Sequence, residues 1–444
     1  MQKKHKKVYI KTWGCQMNEY DSLMIKNILT DKKKYIITQD YYEANILILN
    51  TCSIREKAQE KLFHQLGRWK YIKLKNPDTI IAVGGCVAVQ EGKKILNRAK
   101  YVDIIFGTQT LHRLPDMINQ KIKEKQSIID ISFPKIEKFK KIYISKNINY
   151  SASVSIMEGC NKYCSFCIVP YTRGKEISRP YNQIINEVSL LAKNGIKEII
   201  LLGQNVNSYC DKYTSHEKYT FSKLLKNISY INNIERIRFI TSNPMHFTDD
   251  IIEIYYNTPK VVSFLHLPIQ SGSNRILRLM KRSYSVQEYE EIIKKLKKAR
   301  PNIQISSDFI VGFPGETESD FQKTMEIISK INFDTSFSFI YSPRPGTPAS
   351  KLSDNININE KKNRLQILQK QIKKQTLYWS KKMLQTKQNI LIEKYFDKDK
   401  NILSGRTENN RTVIFEGEKK NLGKIATVYI TEIKNNLLIG KYIQ

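Results

Sequence analysis

Short apolar runs alternate with amphipathic stretches through the first 120 residues. Val8–Thr12 ends at Trp13-Gly14-Cys15, and Ala44–Asn50 ends at Thr51-Cys52. Thr79–Val83 ends at Gly84-Gly85-Cys86, and Val102–Phe106 forms a further strand. Between them, Asp21-Ser22 caps a helical stretch through about Leu29, and a second helix is predicted from Arg55 to about Lys73. This βαβα order predicts an open parallel sheet with helices on both faces. Cys15, Cys52 and Cys86 each stand just past a strand, 37 and 34 residues apart, about one βα unit each. Open α/β sheets collect ligands beyond the carboxyl ends of their strands, so the three thiols converge on one point. Three buried structural cysteines are the plainer alternative.

A Lys-, Ile- and Asn-rich linker at about 124–148 precedes a second alternating series. Its strands are Ser153–Met157, Glu198–Leu202, Arg236–Ile240, Val262–Leu267, Gln304–Val311 and Thr335–Tyr341, with helices such as Tyr181–Lys193 and Val286–Ala299 between them. Six βα units predict a full or partial barrel, whose active site lies at the C-terminal strand ends. A long lysine-rich helix follows from Asn359 to about Leu384. The short strands Asn389–Glu393, Thr412–Phe415, Lys424–Ile430 and Leu437–Tyr442 then predict a small antiparallel β-barrel.

Composition narrows the picture less. At 444 residues, two or three domains are expected. No run of 18 apolar residues indicates a membrane span and no signal-peptide core follows the basic start, so the chain reads as cytoplasmic. Seven cysteines without a secretory signal disfavour a disulfide framework. The net charge of +32 suits a polyanionic partner. Lysine outnumbers arginine more than threefold, however, and such a bias also arises from AT-rich codons.

The sharpest chemical signal is Cys160-x3-Cys164-x2-Cys167, just past the first barrel strand. Three thiolates on one loop suit zinc or an iron–sulfur cluster. Zinc needs a fourth ligand, from Cys210 or one of six histidines, and no second C-x2-C pair supplies it. A redox dithiol would use Cys164 and Cys167 and leave Cys160 unexplained. An open 4Fe–4S cluster at the head of a barrel accounts for all three.

This spacing resembles the radical S-adenosylmethionine (SAM) superfamily. In that family the open iron chelates the methionyl amine and carboxylate of SAM, whose cleavage yields a 5′-deoxyadenosyl radical. Thr12-Trp-Gly-Cys-Gln-Met-Asn-Glu-Tyr-Asp-Ser22, Asn50-Thr-Cys-Ser-Ile-Arg-Glu-Lys-Ala58 and Gly84-Gly-Cys86 are similar to the N-terminal domain of methylthiotransferases. So are Leu265–Ser273, Asp308–Glu316 and Arg344–Ala349 in the core, and Gly405–Arg411 resembles a TRAM module, a small RNA-binding barrel. Gly14-Cys-Gln-Met-Asn18 and Gly203-Gln-Asn-Val-Asn207 look like the branch that acts on tRNA isopentenyladenosine. Ser242-Asn243-Pro244 departs from the Ser-His-Pro of the family, which puts an essential imidazole there in doubt.

The resemblance implies three domains: 6–123 with an auxiliary cluster, 146–378 as the radical SAM core, and 380–444 as TRAM. It implies two 4Fe–4S clusters, one on Cys160, Cys164 and Cys167 and one on Cys15, Cys52 and Cys86. Two SAM molecules are consumed per turnover. Gly203, Gln204, Gln270, Ser271, Asp308 and Gly312 are the cofactor contacts it suggests, with turn formation and packing as the competing reading. Arg406 and Arg411 would grip tRNA phosphates, with a solvated face as the competing reading, and Tyr163 and Phe166 would pack on adenine or cofactor, with the loop's own core as the competing reading. The implied reaction is methylthiolation at C2 of N6-isopentenyl(dimethylallyl)adenosine, at position 37 beside the anticodon. A monomer supplied by a reducing carrier such as flavodoxin or ferredoxin is expected. The same chemistry on threonylcarbamoyladenosine or a ribosomal protein stays open, as does a non-catalytic zinc RNA-binding protein.

Overall fold

Ile46–Thr51 is buried at every position, as a strand covered on both faces must be, and Ile80–Gly85 is too. These two runs form the middle of a parallel sheet in the computed structural model, which describes residues 5–31, 35–53, 58–134, 150–211, 218–397, 399, 401–435 and 437–443. The chain divides into two compact units: Met1–Lys146 with Glu158–Lys162 and Ile168–Arg179, and the remainder.

In the first unit, β1 (Lys6–Trp13), β2 (Tyr35–Ile37), β3 (Ile46–Thr51), β4 (Ile80–Gly85), β5 (Ile104–Phe106) and β6 (Ile128–Asp130) pair in the order β2-β1-β3-β4-β5-β6. Every pairing is parallel. The order reverses at β1, which places β1, β3 and β4 side by side. The sixth strand falls inside the stretch read as linker, whose residues 135–148 lie outside the described part. Two isoleucines and an aspartate, each only half-buried, gave too short a signal to mark it. The first helix is Gln16–Thr30, with Cys15 as its N-cap, so Asp21 and Ser22 lie within it rather than starting it. Both are buried and bonded elsewhere, which is why polar residues stand where caps were expected. The second helix is Ala58–Lys75, and residues 55–57 of the predicted one are not described.

The second unit contains the predicted series of parallel strands. Ser151–Ser155, Glu198–Leu202 and Arg236–Phe239 pair in sequence order. Phe264–His266 pairs with Gln304–Ser306, and Asp308–Val311 with Phe337–Ile340. The expected single strand Gln304–Val311 is therefore interrupted at Ser307, whose hydroxyl accepts the Ile269 N–H at 3.0 Å. Helix Val286–Ala299 begins with a complete capping box from Ser285 and Glu288.

After helix Ile358–Lys381, five strands close into a barrel, Lys387–Asp397, Ile402–Arg406, Thr412–Glu416, Ile425–Lys434 and Leu437–Tyr442. Ile402–Arg406 escaped the sequence reading because Ser404-Gly405-Arg406 looks like a turn. The pairings are antiparallel except that of Thr412–Glu416 with Leu437–Tyr442. This barrel is seated on the starts of the large-barrel strands. Arg236 donates to the Arg406 and Asn389 carbonyls at 2.8 and 2.6 Å, and Arg238 to that of Glu408 at 2.8 Å. Ser263 N–H donates to the Glu408 carboxylate at 2.9 Å, and Asn409 to Gln304 at 2.6 Å. The terminal barrel thus caps the end opposite the C-terminal mouth.

Candidate functional site

Cys15, Cys52 and Cys86 follow the neighbouring strands β1, β3 and β4. Glycines make the approach possible. Gly85 adopts φ +90°, and a Cβ there would stand 2.3 Å from the Thr51 carbonyl oxygen. A Cβ on Gly14 (φ +154°) would meet Cys52 Cβ at 2.8 Å. Polar motif residues tie the strand ends to the first helix. Asn50 donates to the Asn18 carbonyl at 2.9 Å and to Ser22 at 2.8 Å, while Thr12 donates to Ser22 at 2.7 Å. The Cys15 thiol is lowered to about 6, chiefly by a hydrogen bond with Cys52. Arg173 and the N–H groups of Asn18 and Met17 lower it further, against the effect of burial. Burial pushes the Cys86 thiol up, with Arg173 opposing.

Of the loop cysteines, Cys160 belongs to the first unit, where its N–H donates to the Gly174 carbonyl at 3.2 Å. Cys164 and Cys167 belong to the second and are joined by a turn, Cys167 N–H to Cys164 carbonyl at 2.9 Å. Ser165 anchors that turn, its N–H on the Met280 carbonyl at 3.0 Å and its hydroxyl on that of Leu279 at 2.8 Å. Phe166 packs with Ile276, Met280 and Phe313, so it is a residue of the loop's core. Tyr163 is exposed, at φ +47°.

At the mouth, Gly203 follows its strand directly, and a Cβ would meet Met157 Cγ at 2.5 Å. Gln204 is half-buried beside it. Gln270, at φ +76°, bonds through its backbone to Asp308 and Ile310 at 2.9 and 3.0 Å. Ser271 is fully buried, and its hydroxyl accepts the Ser273 N–H at 3.2 Å, a turn-forming use. Asp308 opens its half-strand instead of ending it, and its carboxylate stands 3.5 Å from His266 Nε2. Gly312, at φ +66°, donates to Glu316 at 2.7 Å, which Arg364 holds at 3.0 Å. Asn243 accepts the Met245 N–H at 3.0 Å and exchanges bonds of 2.8 Å with Asn207, so it performs a turn-capping task without an imidazole.

Sequence reasoning missed two mouth residues. The amide of Asn205 is buried with no hydrogen-bond partner on either atom, and so is the Ser242 hydroxyl. Ser242 follows Thr241, a β-branched residue at φ +68°, and such strain gathers at functional sites. No apolar pattern marks polar residues in a loop, and only the Gly203–Asn207 and Ser242–Pro244 motifs pointed near them.

The two basic residues of the terminal barrel have different fates. Arg406 is about one-third exposed, donating to Glu393 at 2.6 Å and to Asn410 at 3.1 Å. Arg411 is buried and clasps Asp334 through both terminal nitrogens at 2.6 Å, with Ser380 and Thr376 taking further bonds. The expected phosphate grip is corrected for Arg411, whose donors are spent inside the fold.

The donor sets fit the clusters that the sequence suggests. Each offers three soft sulfurs, and in the N-terminal set one thiol already ionises near neutrality. Among the described residues, no three His, Cys, Asp or Glu side chains close around a single ion's position. Also among these residues, no helix is long and apolar enough to cross a membrane.

Residues 154–328 match the Radical SAM superfamily, 7–107 the Uncharacterized protein family UPF0004 and 381–443 the TRAM domain. A tRNA-2-methylthio-N(6)-dimethylallyladenosine synthase of Buchnera aphidicola subsp. Acyrthosiphon pisum is 62% identical over 436 residues, which is 98% of this chain and 99% of that one. A synthase of the same name from Cronobacter sakazakii is 57% identical across 99% of this chain and 93% of its own. A solved radical S-adenosylmethionine methyltransferase from Kitasatospora setae aligns with a TM-score of 0.59 over 78% of this chain and 75% of that chain. At 12% identity it speaks for the fold alone. The superfamily match implies a 4Fe–4S cluster and SAM. With more than half of its residues shared along nearly the full length of such relatives, the chain belongs to the tRNA-2-methylthio-N(6)-dimethylallyladenosine synthase family, within the radical SAM superfamily.

Proposed function

We propose that this protein inserts a methylthio group at C2 of N6-isopentenyl(dimethylallyl)adenosine at position 37 of tRNA, next to the anticodon. The observation that carries the reading is the pairing of two three-cysteine sets, one contiguous and one gathered at adjacent strand ends. The C2 hydrogen is not acidic, so acid–base catalysis offers no route. When bound, two 4Fe–4S clusters and two SAM molecules per turnover supply the radical chemistry, the sulfur and the methyl group.

The chain's own residues hold and orient. Cys160, Cys164 and Cys167 would ligate one cluster, and Cys15, Cys52 and Cys86 the other. Gly203, Gln204, Gln270 and Gly312 would shape the SAM pocket at the strand ends. Asp308 would face it from within the barrel, while Ser271 would fix the turn below it. Arg406 would meet the RNA backbone. A low-potential carrier such as flavodoxin or ferredoxin would reduce the protein, which would act as a cytoplasmic monomer.

Digested tRNA from cells lacking the protein should accumulate isopentenyladenosine in place of its 2-methylthio form. Normal levels of the methylthiolated nucleoside would sink the reading. The anaerobically reconstituted chain should hold about eight irons with little zinc.

A further inference from the structure

Arg173 is a buried cation outside the proposed ligand and cofactor sets. Arg173 ends the short helix Val169–Arg173 and is 3% exposed. A guanidinium stays charged at any working pH, so burial obliges it to find anions. Asp21 supplies one at 2.8 Å, from the helix that Cys15 caps. Glu158 stands 3.8 Å from Nη1, beyond hydrogen-bonding range, and its carboxylate already accepts Gln109 Nε2 at 2.7 Å. Nη1 is buried and makes no hydrogen bond.

The backbone is held on the other side. Thr108 donates to the Thr172 carbonyl at 3.1 Å, and Gln109 to that of Arg173 at 3.1 Å. Helix Val169–Arg173 packs on the helix that starts at Cys86. The guanidinium is thus pinned beside two of the three N-terminal thiols, and its charge acts on both Cys15 and Cys86.

We propose that Arg173 is a positioning residue of the N-terminal three-cysteine site, a fixed buried charge that sets how readily the iron–sulfur group held there accepts an electron. Asp21 is its counterweight. The inference rests on the reading that Cys15, Cys52 and Cys86 ligate a cluster. A buried cation favours the reduced, more negative state, and charge and hydrogen bonding near the sulfurs are known levers on cluster potential.

The test uses the full chain carrying C160A, C164A and C167A, reconstituted anaerobically. About four irons should remain. Retention of none would overturn the cluster reading and this inference together. With iron present, a redox titration followed by electron paramagnetic resonance reads the midpoint potential. R173Q should make reduction at least tenfold less favourable, about 59 mV more negative for a one-electron couple. R173K should fall between R173Q and the parent, and D21N should shift the potential the opposite way. A general packing defect would not produce opposite signs. Unchanged potentials with four irons retained would overturn the inference alone. Should R173Q fail to fold, D21N decides, since an unmoved potential there contradicts the counterweight.

Discussion

The two cysteine sets hold the same three donors but are encoded in opposite ways. Cys160, Cys164 and Cys167 lie within eight residues, and one local turn joins the last two. Cys15, Cys52 and Cys86 span 72 residues and stand at one edge only because β1, β3 and β4 are neighbours in the sheet. The contiguous set is a property of a peptide, and the dispersed set is a property of a fold. Each should therefore respond to a different kind of damage.

Removing donors gives the largest effect. C160A/C164A/C167A and C15A/C52A/C86A should each abolish the methylthiolated product and lower bound iron from about eight to about four. Iron content and nucleoside analysis check this. Residual product from either variant would break the claim that both sets are needed.

Damage to the sheet should separate them. Gly85→Ala places a Cβ 2.3 Å from the Thr51 carbonyl at φ +90°. Strain and overpacking together should cost about 2–5 kcal/mol. Thermal unfolding reads the loss, and iron should fall at the dispersed set while the loop set keeps its own. An equal loss from both would blur the distinction.

The same contrast decides what was legible beforehand. The βα alternation, the long helix and the terminal barrel are written in periods of two and 3.6, and they appear in the structure within a few residues. The placement of Cys15, Cys52 and Cys86 at strand ends could be read because each follows an apolar run by only a few residues. Strand Ile402–Arg406 could not, since its Ser-Gly-Arg end imitates a turn. Arg173 carried no signal, because nothing in Pro170-Tyr-Thr-Arg173 says that the chain returns there to the first unit. Arg406 and Arg411 look alike in sequence, and only burial distinguishes them.

That last pair gives the next prediction. R411A leaves Asp334 buried and unpaired, which should cost about 3–5 kcal/mol, with little change in the salt dependence of tRNA binding. R406A, at a partly exposed pair, should cost no more than about 1 kcal/mol. It should also reduce the slope of log affinity against log salt by about 1. Denaturant unfolding and binding across a salt series check both. An Arg411 variant that folds normally and binds tRNA weakly would reverse the assignment.

A further effect, smaller than that of R411A, concerns Asp320, where neighbouring segments of the core meet. Ser273 closes the Leu265–Ser273 motif, Arg275 follows it in helix Asn274–Leu279, and Thr317 stands at a later helix start; all three donate to its carboxylate. Burial alone would raise that carboxyl. The donors, Arg275 foremost, outweigh burial and hold it well below the usual carboxylate range. A carboxyl lowered on folding stabilises fully above its unfolded value of about 3.9, and that share is lost as pH falls from there toward the lowered folded value. Because Arg275 is nearly half exposed, most of the gain comes from capping the helix at Thr317, about 1–2 kcal/mol. D320N should therefore unfold at lower denaturant than the parent at pH 7, and the gap should narrow below about pH 4. A gap that stayed constant into acid would mean that shape at this junction, and not the carboxylate's charge, joins the motif to the helix.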